Sequence, residues 1–155
     1  MLEHDRIEVS LIPSQPDLRP TVMIVDDIPA NLTILNALLS KEYRTLVATS
    51  GRRALELAGA ENPPHLILLD IVMPEMDGFE TTKLIKSKYS SIKIMILSTF
   101  DDEESVSKAV QYGVDGYITK DSGVEELHQA IKSVYLGLRI FQDKALENFA
   151  RRNAE

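Results

Sequence analysis

The sequence predicts an α/β fold, a doubly wound five-stranded parallel sheet with helices on both faces. Two observations support this prediction. Five short strand-like segments, three of them apolar throughout, alternate along the chain with five longer segments in which apolar side chains recur at helical spacing. Strands that are separated by helices cannot pair as tight hairpins, and strands that are apolar throughout are typical of a parallel sheet buried on both sides.

Local patterns define each element. Predicted strands cover residues 22–25, 44–48, 66–69, 94–97 and 116–118, of which the first, third and fourth are apolar throughout. Predicted helices cover residues 28–39, 52–58, 79–88 and 103–112. A fifth helix is predicted from four apolar residues at spacings of 4, 3 and 4, namely Leu127, Ile131, Val134 and Leu138.

Polar residues and glycines mark the ends of the last helices. Asp101 with Glu104, and Ser122 with Glu125, resemble capping boxes that open the fourth and fifth helices. Glycines follow the same two helices at residues 113 and 137, where the left-handed conformation can end a helix.

The 155 residues suit one domain, predicted over residues 21–138. A flexible, proline-punctuated tail is expected at residues 1–20, and a linker or an extra helix at 139–155. The net charge of −7 argues against direct nucleic-acid binding, and the apolar runs are too short to cross a membrane. The absence of cysteine fits a reducing cytoplasm, where we expect the protein to act.

Polar side chains follow four of the predicted strands. Asp26 and Asp27 follow the first, Asp70 the third, Ser98 the fourth and Lys120 the fifth. Taken singly, each has an ordinary explanation as a cap, a turn residue or a solvated charge. A parallel sheet brings them to one edge, however, and ligands of such sheets bind at the carboxyl ends of the strands. Clustered carboxylates need a cation, and oxygen ligands suit Mg²⁺.

These residues lie in segments that resemble the receiver domains of two-component response regulators. The segments are IVDD at residues 24–27, LLDIVMPEMDG at 68–78 and GYITK at 116–120. Ser98 and Lys120 follow Asp70 by 28 and 50 residues, and these spacings also resemble those of receiver domains. The resemblance covers residues 20–138 and implies a flavodoxin-like (βα)5 fold.

The resemblance implies a role for each residue of the cluster. Asp70 is the nucleophile that accepts a phosphoryl group from a sensor histidine kinase or a phosphotransfer protein. Asp27, Asp70 and the backbone carbonyl of Val72 bind Mg²⁺, and Asp26 acts through a metal-bound water. Ser98 and Lys120 contact the phosphoryl group. The protein is then a switch that catalyses only its own phosphorylation and dephosphorylation.

The resemblance also implies how a signal leaves the site. Ser98 moves toward the phosphoryl group and Tyr117, three residues before Lys120, turns inward. The readout surface covers residues 103–138, which is also the candidate homodimer interface. Val72 and Phe100 flank the path of the hydrolysing water, and because neither side chain can orient water, we expect a long-lived phosphoryl group.

Subfamily and rival functions remain open at this point. Asp121 replaces the proline that follows the lysine in many receivers, a pattern similar to regulators with a LuxR-type output. The segment VDDIPAN at residues 25–31 is more similar to receivers of cyclic-nucleotide signalling proteins. The rival functions are a receiver-like interaction module that is not phosphorylated, and a Mg²⁺-dependent phosphatase. The phosphatases usually carry an acid where this chain has Val72.

Overall fold

The computed structural model describes residues 16–141 and consists of one parallel sheet with helices on both faces. In chain order the strands are β1 (Thr21–Val25), β2 (Arg44–Ala48), β3 (Leu66–Leu69), β4 (Lys93–Ser98), β5 (Gly116–Thr119) and β6 (Ile140–Phe141). The helices are α1 (Pro29–Leu39), α2 (Gly51–Ala58), α3 (Gly78–Lys88), α4 (Glu103–Gln111) and α5 (Val124–Tyr135). The predicted fold class and the alternation of elements are confirmed.

The sheet has the order β2-β1-β3-β4-β5-β6, and every neighbouring pair is parallel. Helices α2, α3 and α4 cover one face, where they pack on alternate strand residues such as Met23 and Ile96. Helices α1 and α5 cover the other face, where they pack on the intervening residues such as Ile24 and Leu97. Burial on both faces explains why the central strands are apolar throughout.

The strand count of five is wrong for the described residues, which form six strands. Helix α5 ends at Tyr135, so Leu138, predicted to lie on its apolar face, is instead 59% exposed beyond the helix. Two residues of the predicted linker, Ile140 and Phe141, pair with β5. The rest of that segment, including the candidate helix at 145–152, lies outside the described residues from residue 142 onward.

The helix ends are partly as predicted. Gly113 and Gly137 adopt positive φ angles of 83° and 101°, which confirms the left-handed conformation expected there. The capping predictions are wrong by one residue. Asp102 caps α4 by accepting a hydrogen bond from the Ser105 amide, and Gly123 occupies the N-cap of α5 without a side-chain cap.

The start of the described chain lies against the fold. Arg19 donates to the Ser40 carbonyl at 2.9 Å and pairs with Asp17 at 2.7 Å. The remainder of the predicted tail, residues 1–15, lies outside the described residues. Within residues 16–141, none of the helices has the length and apolar character needed to cross a membrane.

Candidate functional site

The carboxyl ends of the central strands meet at one edge of the sheet, as the parallel pairing requires. The Asp26 amide, just after β1, donates to the Ala48 carbonyl at 3.1 Å. The Asp70 amide after β3 donates to Val25 at 3.0 Å, and the Lys120 amide after β5 donates to Ser98 at 2.8 Å. The strand ends are therefore fixed by backbone hydrogen bonds beyond the last strand residues, and the predicted polar side chains share one edge.

Asp26 is the most enclosed acid of this edge, at 2% exposure. One carboxylate oxygen, Oδ1, accepts from the Ile28 amide at 2.9 Å. The other, Oδ2, accepts from the Asn31 side-chain amide at 3.1 Å and from the Lys120 ammonium at 3.0 Å. Three donors thus satisfy a carboxylate that burial would otherwise destabilise. The role of Asn31 was missed from sequence, because a side-chain contact five residues apart leaves no motif.

Lys120 bridges two of the acids. Its ammonium lies 3.0 Å from Asp26 Oδ2 and 3.5 Å from Asp70 Oδ1. Burial by itself works to lower the pKa of this amine, but the hydrogen bond to Asp26 and the negative charge of Asp70 outweigh it and raise the pKa. The amine therefore stays charged at neutral pH and supplies a fixed positive charge at the edge of the sheet.

Asp70 is 8% exposed, so its carboxylate is largely removed from water. Burial raises the pKa of Asp70, and the neighbouring negative charge of Asp26 raises it further, while Lys120 partly opposes both. When ionised, this carboxylate has little solvation of its own. Such an anion interacts strongly with any cation or electrophilic centre that enters the site.

The three acids fit a divalent cation. One oxygen from each of Asp26, Asp27 and Asp70 lies within 4.8 Å of the others. Three negative charges face the single positive charge of Lys120, so the cluster carries excess negative charge. Hard oxygen ligands of this kind suit Mg²⁺, which binds few protein oxygens and keeps several waters. The arrangement can hold a metal at the place where Asp70 reaches the surface.

The loop after Asp70 turns back on itself at Gly78. The Gly78 amide donates to the Ile71 carbonyl at 2.7 Å. A Cβ at Gly78 would lie 2.3 Å from the Asp70 carbonyl oxygen and 2.8 Å from Ile71 Cα, distances that real structures do not show. Glu75, within the same loop, has a positive φ of 66°. Gly78 thus lets α3 begin against the backbone of Asp70, a role not assigned from sequence.

Ser98, Phe100 and Tyr117 form a second group beside the acids. Ser98 is fully buried, and its hydroxyl accepts from the Phe100 amide at 3.0 Å. Tyr117 is also fully buried, and its hydroxyl donates to the Phe100 carbonyl. Burial raises the pKa of Tyr117 to about 12. The Tyr117 ring therefore points into the core.

The remaining predicted residues lie around the opening. Val72 and Phe100, two residues beyond Asp70 and Ser98, are 58% and 47% exposed, so both apolar side chains face solvent. Asp121, at the position after Lys120, accepts a hydrogen bond from the Thr119 hydroxyl. Asp121 therefore closes the turn after β5 through a side-chain hydrogen bond.

Comparisons with known proteins agree with this geometry. The family model described as "Response regulator receiver domain" matches residues 22–132. The transcriptional regulatory protein YxjL of Bacillus subtilis is 33% identical over 141 residues, covering 91% of this chain and 60% of its own length. The nitrate/nitrite response regulator NarL of Escherichia coli K12 is 34% identical over 126 residues, covering 79% of this chain and 58% of its own.

Solved structures give the same answer. A two-component response regulator of the LuxR family from Aurantimonas superposes with a TM-score of 0.82 at 26% identity, covering 88% of this chain and 99% of its own. The chemotaxis protein CheY4 of Vibrio cholerae superposes with a TM-score of 0.70 at 28% identity, covering 75% and 98%.

The chain belongs to the response regulator receiver domain family. It spans about half to three-fifths of the length of the curated relatives that it matches. The predicted likeness to LuxR-type regulators agrees with the Aurantimonas structure.

Replacing Gly78 tests the close approach behind Asp70. We expect Gly78→Ala to lower the free energy of unfolding by roughly 2–4 kcal/mol, because the new methyl group must displace the Asp70 backbone. The matched control is Gly123→Ala, where a Cβ meets no atom within 4 Å. The control should cost less than about 1 kcal/mol, the difference between N-cap residues. Equal losses in urea denaturation would contradict this role of Gly78.

The raised pKa of Asp70 predicts that this carboxylate destabilises the fold at neutral pH. Above its ordinary value of 3.8, the unfolded chain loses this proton more readily than the folded chain, so stability falls as pH rises through the folded pKa. In buffer with EDTA, we expect Asp70→Asn to unfold at higher urea concentration than wild type at pH 7. The two proteins should converge as pH falls below 3.8; parallel curves across this range would refute the assignment.

Proposed function

We propose that Asp70 accepts a phosphoryl group from a sensor histidine kinase or a phosphotransfer protein, in a reaction that depends on Mg²⁺. The observation that carries this proposal is the contact between a buried, poorly solvated Asp70 and the charged Lys120, beside two further acids. An anion, a cation and a metal-binding cluster thus meet where a phosphoryl group would approach. Family membership supports the same function.

The transfer itself needs little beyond position and charge. An oxygen of the Asp70 carboxylate attacks phosphorus, a P–O bond forms, and the P–N bond to the donor histidine breaks, with its electron pair leaving on the imidazole nitrogen. A carboxylate is already deprotonated at neutral pH, so no base is required. Charge accumulates on the phosphoryl oxygens, and Lys120 is placed to stabilise it. The Ser98 hydroxyl is proposed to hydrogen-bond one of these oxygens.

Asp27 and Asp70, with the backbone carbonyl of Val72, are proposed to hold the Mg²⁺, and Asp26 to act through a water molecule. The bound ion would supply positive charge that offsets the repulsion between the acids and the incoming phosphoryl group. Asp26 keeps a second task, since it holds the ammonium of Lys120 in place.

The switch is proposed to run from Ser98 to Tyr117. In this structure the Ser98 hydroxyl accepts from the Phe100 amide, so its movement toward a phosphoryl group must break or redirect that bond. The Phe100 carbonyl in turn accepts from Tyr117. A change at Ser98 therefore reaches Tyr117 through one loop residue. The surface of residues 103–138, with α4, β5 and α5, is the proposed readout and the candidate homodimer interface.

A small phosphodonor tests this function directly. With acetyl phosphate and Mg²⁺, we expect one stable adduct on wild type, detected by mass spectrometry, and no adduct on Asp70→Asn. Lys120→Ala should slow adduct formation by at least about tenfold, because it removes the only ammonium placed beside Asp70 among the described residues. Lys88→Ala, which removes a lysine from the end of α3, is the control and should react like wild type. If no adduct forms on wild type, the result favours an inert interaction module. If phosphate is released continuously, the result favours a phosphatase.

Two apolar residues predict a long lifetime for the adduct. Val72 and Phe100 lie two residues beyond Asp70 and Ser98, are exposed, and cannot orient an attacking water by hydrogen bonding. We expect the pair Val72→Asn and Phe100→Glu to shorten the lifetime by about tenfold or more, the usual contribution of one positioned polar group. Phosphate release from the purified adduct measures it. An unchanged or longer lifetime would show that these positions do not control hydrolysis.

A further inference from the structure

Strand β6 is attached to the sheet by a connection of unusual hand. Helix α1 connects β1 to β2, toward the β2 edge of the sheet, and packs on one face. Helices α2, α3 and α4 connect strands in the direction of the β6 edge, and they pack on the opposite face. These four connections share one hand. Helix α5 also leads toward the β6 edge, but it packs on the same face of the sheet as α1. The β5-α5-β6 connection therefore has the opposite hand.

Connections between parallel strands of one sheet are right-handed in roughly 98% of known cases. The four connections that share one hand are therefore right-handed, and the β5-α5-β6 connection is left-handed. Few contacts hold β6 in place, among them the hydrogen bond from the Ile140 amide to the Asp115 carbonyl at 3.1 Å. It has two residues, both only half-buried, and it pairs with β5 alone. Short elements with few buried contacts and exposed hydrogen bonds open at low free-energy cost. Strand β6 is thus the part of the described sheet that is easiest to release.

One residue of β6 pairs with Tyr117. Phe141 pairs with Tyr117 in register, and both side chains lie on the face covered by α2, α3 and α4. Residues paired in this way on neighbouring strands share one face of the sheet, and Phe141 packs against the buried cluster that contains Tyr117. The Tyr117 ring is held inward by its hydrogen bond to the Phe100 carbonyl. If that ring left the core, the surface on which Phe141 packs would be lost.

We propose that β6 is a displaceable edge strand that docks on β5 while Tyr117 points inward and is released when Tyr117 turns outward. Phe141 is then the positioning residue through which Tyr117 controls the docking of β6. The link from Tyr117 to β6 stands on the described contacts. The link from phosphorylation to β6 rests on the proposed function, under which phosphorylated Asp70 favours the inward ring and hence the docked strand.

Arg139 provides a natural reporter of β6. Its guanidinium donates to the Val114 carbonyl at 3.1 Å and lies 5.7 Å from the centre of the Phe141 ring. Trypsin needs a free arginine side chain and an extended, unpaired backbone, so it can cut between Arg139 and Ile140 only after β6 is released. When opening is fast, the cleavage rate follows the population of the open state.

The first experiment needs no phosphorylation and uses the full chain. We expect Tyr117→Ala to speed cleavage after Arg139 by about fivefold or more. Phe141→Ala, a milder change at a half-buried residue, should do the same. The matched control is Ile67→Ala, a fully buried residue on the same face but three strands away from β6. The proposal is wrong if neither test variant cleaves faster, or if the control cleaves as fast as they do.

The second experiment adds beryllofluoride and Mg²⁺, a mimic of the phosphoryl group, and monitors the adduct on Asp70 by fluorine NMR. We expect the adduct to slow cleavage after Arg139 by about fivefold in wild type and to have no such effect in Phe141→Ala. If the adduct forms and cleavage in wild type is unchanged or faster, the coupling is wrong and the proposed function stands. If no adduct forms, the proposed function fails, and the first experiment alone decides the role of β6.

Discussion

The ammonium of Lys120 between Asp26 and Asp70 is the interaction on which the site depends. Three carboxylates at one edge of a sheet repel one another, and two of them are nearly excluded from water. Lys120 contacts both of these buried acids and joins the end of β5 to the ends of β1 and β3. One cation offsets only part of the charge. The uncompensated negative charge destabilises the fold, and it also gives a cluster that could hold a divalent cation.

The backbone carries the second constraint. Asp70 must end a buried strand and still present its carboxylate at the surface, so the chain leaves β3 in a tight loop. Gly78 makes this possible because no side chain separates the start of α3 from the Asp70 carbonyl. The loop also tolerates a left-handed glutamate at residue 75. Close packing at Gly78 thus fixes the position of Asp70, and under the proposed function position is most of what phosphoryl transfer requires of the protein.

Signal transmission in this domain requires parts that are held less firmly. The fold is rigid where the central strands are buried on both sides, and it is weak at its outer edge, where β6 adds two half-buried residues. Ser98, Phe100 and Tyr117 lie between these regions and share one chain of hydrogen bonds. Under the proposed function, a local change in charge at the acids would act on this group of contacts.

The sequence by itself determined the fold class, the alternation of elements and the residues at the carboxyl ends of the strands. These depend on the spacing of apolar residues along the chain and on the alternation of strands with helices, which are local patterns. It also indicated the left-handed glycines at 113 and 137. It could not place β6, since two residues carry no period, nor choose Asp102 over Asp101 as a cap, since both fit the same signal. The contacts of Asn31, the fit of Gly78 and the inward ring of Tyr117 were decided only by tertiary structure. Each depends on contacts between atoms of separate segments, and no local sequence pattern predicts such contacts.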